Sequence, residues 1–383
     1  MSQQQVLTAQ QIADHLGGRI IGDAETTISA VEVIERATAA HLTYLGDQKK
    51  LSRLSSSQTK LVLAANSAEE ILRDIAHVTF ILVEEPEIAF LQITEILHPQ
   101  RSPSTTGIST SAIIPSSAKI GTGTVIGHHV VIGHDVIIGN DCRIEHGTVI
   151  GDGCTLGNNV VLHPNCVLHH DLIIGNDVTI HATCVIGADG FGYRTVNGRH
   201  ERLPHFGIVR ICDDVEIGAG STIDRAKVGE TIIGTGTRID NQVMIGHNCQ
   251  LGPHNLIVSQ VGFAGSVSTG AYVVCAGQAG IADHVHLGDG AVIGGKTGVH
   301  RDMKGGQSYF GTPAVPIAEA ARNMMALRRL PEMRNTVKLL ERNVARIQRE
   351  MMAGAPQPSS MNTPTADSAS APVPPVDGES KAA

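Results

Sequence analysis

The segment KIGTGTVIGHHVVIGHDVIIGNDCRIEHGTVI, residues 119–150, repeats an isoleucine at every sixth position. This spacing holds with isoleucine or leucine through residues 114–186 and 211–223, and the repeat continues in a shifted register through residues 233–299. An α-helix repeats every 3.6 residues and a β-strand every two, so neither explains a period of six. A short strand followed by a corner does, and we predict a mainly β fold, a parallel β-helix of hexapeptide repeats. Glycine often follows the repeated residue, and we expect corners with positive φ there.

Composition excludes several classes of function. The chain has 383 residues and a net charge of −8 at pH 7, which gives no reason to expect nucleic acid or an anionic membrane as a partner. No apolar stretch is long enough to cross a bilayer, and the first residues lack a signal-peptide pattern. None of the seven cysteines forms a CxxC pair. We therefore predict a cytoplasmic protein with no integral membrane segment and structural cysteines.

Gain and loss of the repeat divide the chain into regions. Residues 1–105 lack the repeat and are predicted to form an N-terminal α/β domain. The β-helix is predicted for residues 106–312, with an inserted loop at 188–207 where the repeat is interrupted. Residues 313–352 show apolar residues at spacings of three and four, which indicates C-terminal α-helices. Residues 353–383 are low in complexity and are predicted to be disordered.

Three residues among many candidates are predicted to share one edge of the β-helix. In known folds with this repeat, three six-residue sides close one turn, which implies that residues 18 apart lie directly above one another. Gly265 follows His247 by 18 residues, and His284 follows it by 37. An imidazole can take a proton from a nucleophile, and a glycine N–H can donate to a developing oxyanion. The column therefore predicts acyl-transfer chemistry.

A metal site is the main alternative for the nineteen histidines. His163 and His181 are predicted to stack, as are His128 and His146, and the trimeric γ-class carbonic anhydrases hold zinc with three histidines on such a prism. No third ligand follows from the spacing here. We predict no metal and no cofactor, with a zinc hydratase and a purely structural solenoid as alternatives.

Three motifs resemble a known family. The segments IDNQVMIGHN (Ile239–Asn248), GADGFGY (Gly187–Tyr193) and IDRA (Ile223–Ala226) are similar to those of the UDP-3-O-(3-hydroxyacyl)glucosamine N-acyltransferases of lipid A biosynthesis, and the resemblance spans about residues 1–350. It implies left-handed winding, a homotrimer with active sites between neighbouring prisms, and an N-terminal uridine-binding domain. The implied reaction moves a 3-hydroxyacyl chain from acyl carrier protein to the 2-amino group of UDP-3-O-(3-hydroxyacyl)glucosamine. Transfer from acetyl-CoA to another amine remains the alternative enzyme reaction.

The resemblance also implies roles for the column. His247 matches the general base that deprotonates the amine, and Gly265 matches the amide that stabilises the oxyanion. His284 matches a second histidine that assists substrate binding or the transition state. Small residues beyond it, at Gly294, Gly295 and Gly298, are predicted to leave room for an acyl chain.

Substrate-binding residues are implied in two places. Asp240 and Asn241 match polar positions near the sugar. Tyr44 matches the aromatic residue that stacks on uracil, although Asp47 and Lys50 replace the asparagine and tyrosine that the family often places three and six residues later. A packing role in the core is the alternative for Tyr44.

The C-terminal helices are predicted to serve two contacts. Their apolar seam is compatible with packing in the trimer, and Pro331 is expected to separate a shorter first helix from the second. Basic residues on them are expected to dock the acidic carrier protein, with a solvated helix face as the alternative. The docking residues are Arg322, Arg328, Arg329, Arg334 and Lys338.

Overall fold

The computed structural model divides the chain into two compact units. The first runs from Met1 to Ser104 and the second from Thr105 to Ala383. The structure describes residues 5–46, 51–54, 57–98 and 107–353. The predictions for Asp47, Lys50 and residues 354–383 lie outside these ranges.

The N-terminal unit contains a five-stranded sheet whose strands lie in the order Arg19–Ile21, Thr79–Val83, Leu61–Ala65, His41–Leu45 and Ala30–Val31. Apolar clusters cover it: Ile12, Leu63 and Ile93 are buried in one of them, and Leu72 and Phe80 in a second. Its elements are β1 (Leu7–Thr8), α1 (Ala9–Leu16), β2 (Arg19–Ile21), β3 (Thr27–Ile28), β4 (Ala30–Val31), β5 (His41–Leu45), α2 (Leu51–Leu54), β6 (Leu61–Ala65), a 3-10 helix (Asn66–Ala68), α3 (Glu69–Leu72), β7 (Thr79–Val83) and α4 (Pro86–Leu97).

The second unit is a parallel β-helix, as the period of six predicts. Its strands form three sheets. Sheet I contains β8 (Lys119–Ile120), β11 (Ile137–Ile138), β14 (Thr155–Leu156), β17 (Ile173–Ile174), β22 (Ile208–Ile211), β25 (Glu230–Ile233), β28 (Gln250–Leu251), β31 (Ser268–Thr269) and β34 (His286–Leu287).

Sheets II and III complete the prism. Sheet II contains β9 (Val125–Ile126), β12 (Arg143–Ile144), β15 (Val161–Leu162), β18 (Thr179–Ile180), β23 (Glu216–Ile217), β26 (Arg238–Ile239), β29 (Leu256–Ile257), β32 (Val274–Cys275), β35 (Val292–Ile293), β37 (Ser308–Phe310) and β38 (Val315–Pro316). Sheet III contains β10 (Val131–Ile132), β13 (Val149–Ile150), β16 (Val167–Leu168), β19 (Val185–Asp189), β24 (Thr222–Arg225), β27 (Met244–Ile245), β30 (Gly262–Phe263), β33 (Gly280–Ile281) and β36 (Gly298–Val299). A hairpin of β20 (Tyr193–Val196) and β21 (Arg199–Arg202) projects from the inserted loop.

The repeated residues line the core, because side chains alternate along a strand and the second residue of each two-residue strand points inward. Ile132 pairs in register with Ile150, 18 residues later, and Ile144 pairs with Leu162. Ile144, Leu162 and their counterparts in other turns are fully buried. The period of six and the return after 18 residues are therefore confirmed.

The glycine that follows the repeated residue does not have the positive φ that we expected from the sequence. The positive φ occurs two residues after the glycine, for example at Asp141 (55°) after Gly139 and at Asn159 (56°) after Gly157. A Cβ on Gly139 would lie 2.4 Å from the carbonyl oxygen of Gly157 in the next turn. Glycine at this position therefore allows close approach of two backbones instead of an unusual φ.

One continuous helix, α5 (Ile317–Ala353), follows the β-helix. The expected separation at Pro331 is therefore wrong, because the proline lies inside the helix and removes only its own N–H from the hydrogen-bond ladder. The apolar seam remains uncovered in the single chain, with Leu340 56% exposed. Among the described residues, no helix combines the length and apolar character needed to cross a membrane.

Candidate active site

His247 lies at the corner that leads from sheet III to sheet I. Strand β27 ends at Ile245, and Gly246, His247 and Asn248 make the turn, with Asn248 at φ 61°. The buried Ile245 and Cys249 anchor the two ends of this corner in the core. The His247 side chain is therefore held at a fixed place on the prism edge while remaining half-buried.

Asn248 fixes the orientation of the His247 ring. The Asn248 amide nitrogen donates to the Val228 carbonyl at 2.9 Å, and its Oδ1 accepts from the Lys227 N–H at 2.9 Å. The same Oδ1 lies 3.1 Å from Nδ1 of His247. Because this oxygen can only accept, Nδ1 carries the ring proton and Nε2 keeps its lone pair. Nε2 bonds to no described residue, so it is available as a base.

Gly265 lies directly against the His247 ring, as the spacing of 18 predicts. A Cβ on Gly265 would lie 2.7 Å from both Cε1 and Nε2 of His247. Ser266 N–H donates to the His247 carbonyl at 2.8 Å and so fixes the two turns in register. The Gly265 N–H donates to no described residue. The arrangement therefore places an unpaired amide donor beside a basic ring nitrogen.

His284 continues the same edge one turn further along the axis. Its N–H donates to the Gly265 carbonyl at 3.1 Å, and its φ of 58° places it at the corner. The side chain is exposed. The three residues of the predicted column are thus brought together on one edge, while the chemical role of His284 stays a prediction.

The inserted loop returns to the prism beside His247 and contributes a residue that sequence reasoning missed. The His205 ring lies edge-on to His247, with ring centroids 5.3 Å apart and an angle of 64° between the planes. His205 is 6% exposed, and neither of its ring nitrogens has a hydrogen-bond partner among the described residues. A Cβ on Gly190 would lie 2.9 Å from His205 Nε2, and one on Gly192 would lie 2.9 Å from Cε1. The glycines of the loop therefore make room for this ring.

Burial disfavours the charged form of His205. Desolvation lowers the pKa of His205, and the nearby His247 lowers it further. The charge of Asp189 and a contact with the Leu203 backbone, which falls outside hydrogen-bond geometry, act in the opposite direction. A second positive charge is therefore disfavoured beside the base.

The two interruptions of the repeat meet at this site. Phe206 N–H donates to the Lys227 carbonyl, and Gly207 N–H donates to the Ala226 carbonyl, both at 2.9 Å. The segment 226–229, where the register shifts, thus braces the end of the inserted loop and also holds Asn248. The breaks in the period were the sequence signal that could have led to His205 and Asn248.

A buried cation holds the start of the inserted loop. Arg225 is almost fully buried, and its Nε donates to the Gly187 carbonyl at 2.7 Å and its Nη2 to the His170 carbonyl at 2.9 Å. The adjacent Asp224 is also buried, and desolvation, with a smaller contribution from Asp189, raises its pKa to about 6. The loop that carries His205 is therefore fixed to the prism by polar contacts at its base.

Asp240 and Asn241 lie at a different corner, between sheets II and III. Asp240 accepts from the Asn241 N–H at 2.7 Å and from the Ser259 N–H at 3.0 Å, and it also bonds the Ser259 hydroxyl. The Ser259 hydroxyl bond, followed by the backbone N–H of Asn241, lowers the pKa of Asp240. Asn241 Oδ1 accepts from Ala219 N–H at 2.7 Å, which leaves its exposed amide nitrogen free to donate.

Within one chain these polar residues and His247 are not brought together. The residues between Asn241 and His247 span sheet III, on the order of 15 Å at about 3.3 Å per residue. Asp240 and Asn241 instead line a groove of 520 Å³ on the sheet II side, together with Arg238, Leu256 and Val258.

Tyr44, in the N-terminal unit, packs against Phe90 with ring centroids 5.1 Å apart. Burial, and then the charge of Glu87, raises the pKa of its phenol. The ring is half-buried, so the packing role considered from the sequence is observed. The proposed docking residues are all exposed on α5: Arg322, Arg328, Arg329, Arg334 and Lys338.

The stacked histidines pair with each other and with carboxylates. The His163 and His181 rings are 4.8 Å apart and nearly parallel, His163 Nδ1 lies 3.3 Å from Glu145, and His181 Nε2 lies 2.9 Å from Glu216. Across the part of the chain that the structure describes, no three His, Cys, Asp or Glu side chains form a set that fits a metal ion.

Comparisons with known proteins identify the family. A family model described as UDP-3-O-(3-hydroxymyristoyl) glucosamine N-acyltransferase, LpxD, matches residues 25–96, and one described as GMPPB C-terminal domain matches residues 108–190. Among solved structures, an Arabidopsis UDP-N-acetylglucosamine acyltransferase is 24% identical and covers 56% of this chain and 76% of its own, with a TM-score of 0.47.

Curated relatives match over most of their length. The UDP-3-O-acylglucosamine N-acyltransferase of Syntrophus aciditrophicus is 47% identical over 339 residues, 88% of this chain and 92% of that relative. The enzyme of the same name from Chlorobium chlorochromatii is 46% identical over 346 residues, 88% of this chain and 96% of that relative. The chain therefore belongs to the UDP-3-O-acylglucosamine N-acyltransferase family.

Proposed function

We propose that this acyltransferase moves a 3-hydroxyacyl chain from an acyl carrier protein thioester to the 2-amino group of UDP-3-O-(3-hydroxyacyl)glucosamine, in lipid A biosynthesis. The observation that carries the proposal is the His247–Gly265 pair, with a free basic nitrogen and an unpaired amide donor on adjacent turns. The acceptor follows the name of the relatives, UDP-3-O-acylglucosamine N-acyltransferase. All seven cysteines are free, which fits the reducing cytoplasm that we propose as the location.

In the proposed mechanism the amine nitrogen attacks the thioester carbonyl carbon, and His247 Nε2 takes one amine proton. The carbonyl oxygen becomes an oxyanion beside the Gly265 N–H, which stabilises it. Collapse of the tetrahedral intermediate breaks the C–S bond, and the leaving thiolate takes the proton from His247. His284 lies one turn away from the reacting atoms, where it is proposed to bind substrate.

The wide separation of Asn241 and His247 within one chain supports a homotrimer with sites between neighbouring prisms. In such an assembly the Asn241 corner of one copy faces the His247 corner of the next. The exposed apolar seam of α5 supplies a further surface for contact between copies. Tyr44 is proposed to contact the uracil in the N-terminal unit.

Carrier-protein docking on α5 gives the first prediction. Reversing two charges, Arg328→Glu with Arg329→Glu, is expected to raise KM for acyl carrier protein about tenfold at low salt, because charge pairs steer the encounter. A short pantetheine thioester should react with unchanged KM. The control is Lys119→Glu, an exposed charge on sheet I. Equal losses with both donors would contradict docking on this helix.

A row of glycines next to the site predicts which residues set the preferred length of the acyl chain. Gly262, Gly280 and Gly298 pair in register along sheet III, and a Cβ on Gly262 or Gly280 would meet no atom within 4 Å. Gly298 thus lies in this row, whereas Gly294 and Gly295 lie at a corner. We expect Gly298→Met to shorten the preferred acyl chain and Gly280→Met, nearer the base, to shorten it more. The measurement is the rate with a series of donors of different acyl length. An unchanged length preference in both variants would contradict an acyl channel along this row.

The function itself is tested by thiol release from 3-hydroxyacyl carrier protein. Release is expected to require UDP-3-O-acylglucosamine and to fail with an acceptor whose amine is already acetylated. Equal turnover with free acetyl-CoA would favour the alternative acyltransferase reaction instead.

A further inference from the structure

His205 is buried in an environment that offers its two ring nitrogens no hydrogen bond. Burying a polar group without a hydrogen bond destabilises a folded protein, and both ring nitrogens of His205 lie in that state. A phenylalanine ring would fill the same space without this cost. An imidazole at this position is therefore explained by a step in which its nitrogens are paired.

The position of His205 relative to His247 indicates which substrate atom can bond to His205. Nδ1 of His247 is occupied by Asn248, and the Cε1–Nε2 edge faces Gly265. A Cβ on Gly190 would lie 2.9 Å from both His247 Cδ2 and His205 Nε2, so His205 flanks the opposite side of the basic ring. A substrate atom that bonds to His247 Nε2 thus lies between the oxyanion donor and His205.

We propose that His205 is a second catalytic residue, which accepts one N–H of the acceptor amine while His247 Nε2 accepts the other. The proposal rests on the function proposed above. The ring centroids are 5.3 Å apart. Two nitrogens that hydrogen-bond to one atom lie at most about 6 Å apart, so rings this close allow a nitrogen of each to reach the same atom. A primary amine has two N–H bonds and an alcohol has one O–H, so the histidine pair favours an amine as the nucleophile.

A neutral His205 ring suits this role. The lowered pKa favours the neutral form, whose ring nitrogen has a free lone pair, whereas an imidazolium has none. With both N–H bonds held, the amine lone pair points at the thioester carbon. The amine forms the C–N bond, His247 takes one proton and passes it to the leaving thiolate, and His205 keeps its own protonation state throughout.

Contact with the amine requires a small movement of the loop. Gly190 and Gly192 lie against the His205 ring, and its nitrogens are covered in this structure. The loop is fixed at its base by Arg225 and braced at its end by the contact of Phe206 with Lys227. We expect the residues around Gly190 to shift outward when the acceptor binds.

The test compares His205→Phe, which keeps an aromatic ring without nitrogens, with His205→Gln, which keeps atoms that form hydrogen bonds. The Phe variant is expected to lower kcat for amide formation about thirtyfold, with KM for the acceptor changed less than about threefold, because the amine binds but is misoriented. Its unfolding temperature should rise by about 2–4 °C, because the unpaired nitrogens are gone. The Gln variant should stay within about fivefold of the parent kcat.

The matched control is His200→Phe, the same substitution at an exposed histidine of the hairpin. It should change neither kcat nor the unfolding temperature. The proposal is overturned if His205→Phe turns over at the parent rate, if Phe and Gln lower kcat equally, or if Phe lowers the unfolding temperature. If the unmodified chain forms no amide at all, the proposed function fails instead, so the two failures are distinguishable.

Discussion

His247→Ala is expected to lower kcat for amide formation about a thousandfold, within the range for loss of a general base. The amine then attacks without an acceptor for its proton, and solvent has to take that proton. KM for the acceptor should change little, because Nε2 acts mainly in the transition state. The measurement is initial-rate kinetics of thiol release at saturating donor.

The control for this substitution is His254→Ala. His254 is also a corner histidine, and its ring stacks on Tyr272; unlike His247 it has a positive φ (58°). The His254 variant should keep the parent kcat. Turnover by His247→Ala within about threefold of the parent would rule out this base and the mechanism built on it.

Gly265→Ala is expected to lower kcat about a hundredfold while leaving the fold intact. The backbone of Gly265 does not need a positive φ, so alanine causes no backbone strain. Its methyl group would lie 2.7 Å from His247 Cε1 and Nε2, so the ring must turn away from the reacting atoms. Kinetics together with an unfolding curve separates this effect from misfolding.

Gly277→Ala is the matched control, since Gly277 occupies the same place in its repeat as Gly265. A Cβ there meets only the Ser259 carbonyl at 3.4 Å and Val258 at 3.9 Å, which are ordinary contacts. The variant should behave as the parent does. Equal activity losses in the Gly265 and Gly277 variants would show a general cost of side chains at corners instead of a site effect.

The periodic part of the fold was predictable because burial repeats with the sequence. An apolar residue at each sixth position can be buried only if the chain turns between short strands, and Ile132, Ile150 and Leu168 indeed stack in one sheet. The same spacing brought His247, Gly265 and His284 to one edge. Given the 18-residue turn of known folds with this repeat, register decides these placements.

The features that the sequence did not predict depend on contacts between turns of the β-helix or on segments without a period. The steric need for Gly139 comes from the backbone of the next turn, which the local sequence does not display. His205 and Asn248 join the site through the loop and the segment 226–229, whose paths have no period. Pro331 was expected to end a helix, but one missing N–H on an exposed helix is tolerated.

Asn241 shows a further limit of the sequence. Its motif, IDNQVMIGHN, contains both Asn241 and His247 within ten residues, which suggests that they act together. In the fold a full side of the prism separates them, so they act together only in the proposed assembly, where the corners of two copies meet. A contact between copies leaves no periodic signal in one chain.

The most direct test of the account follows the acceptor nitrogen itself. The full chain is incubated with 3-hydroxyacyl carrier protein and UDP-3-O-acylglucosamine labelled with ¹⁵N at the amine, and the amide N–H signal is recorded by NMR. This signal is expected to grow at the rate of thiol release and to be nearly absent with His247→Ala. Thiol release without an amide signal, or an amide signal of equal rate in the His247 variant, would contradict it.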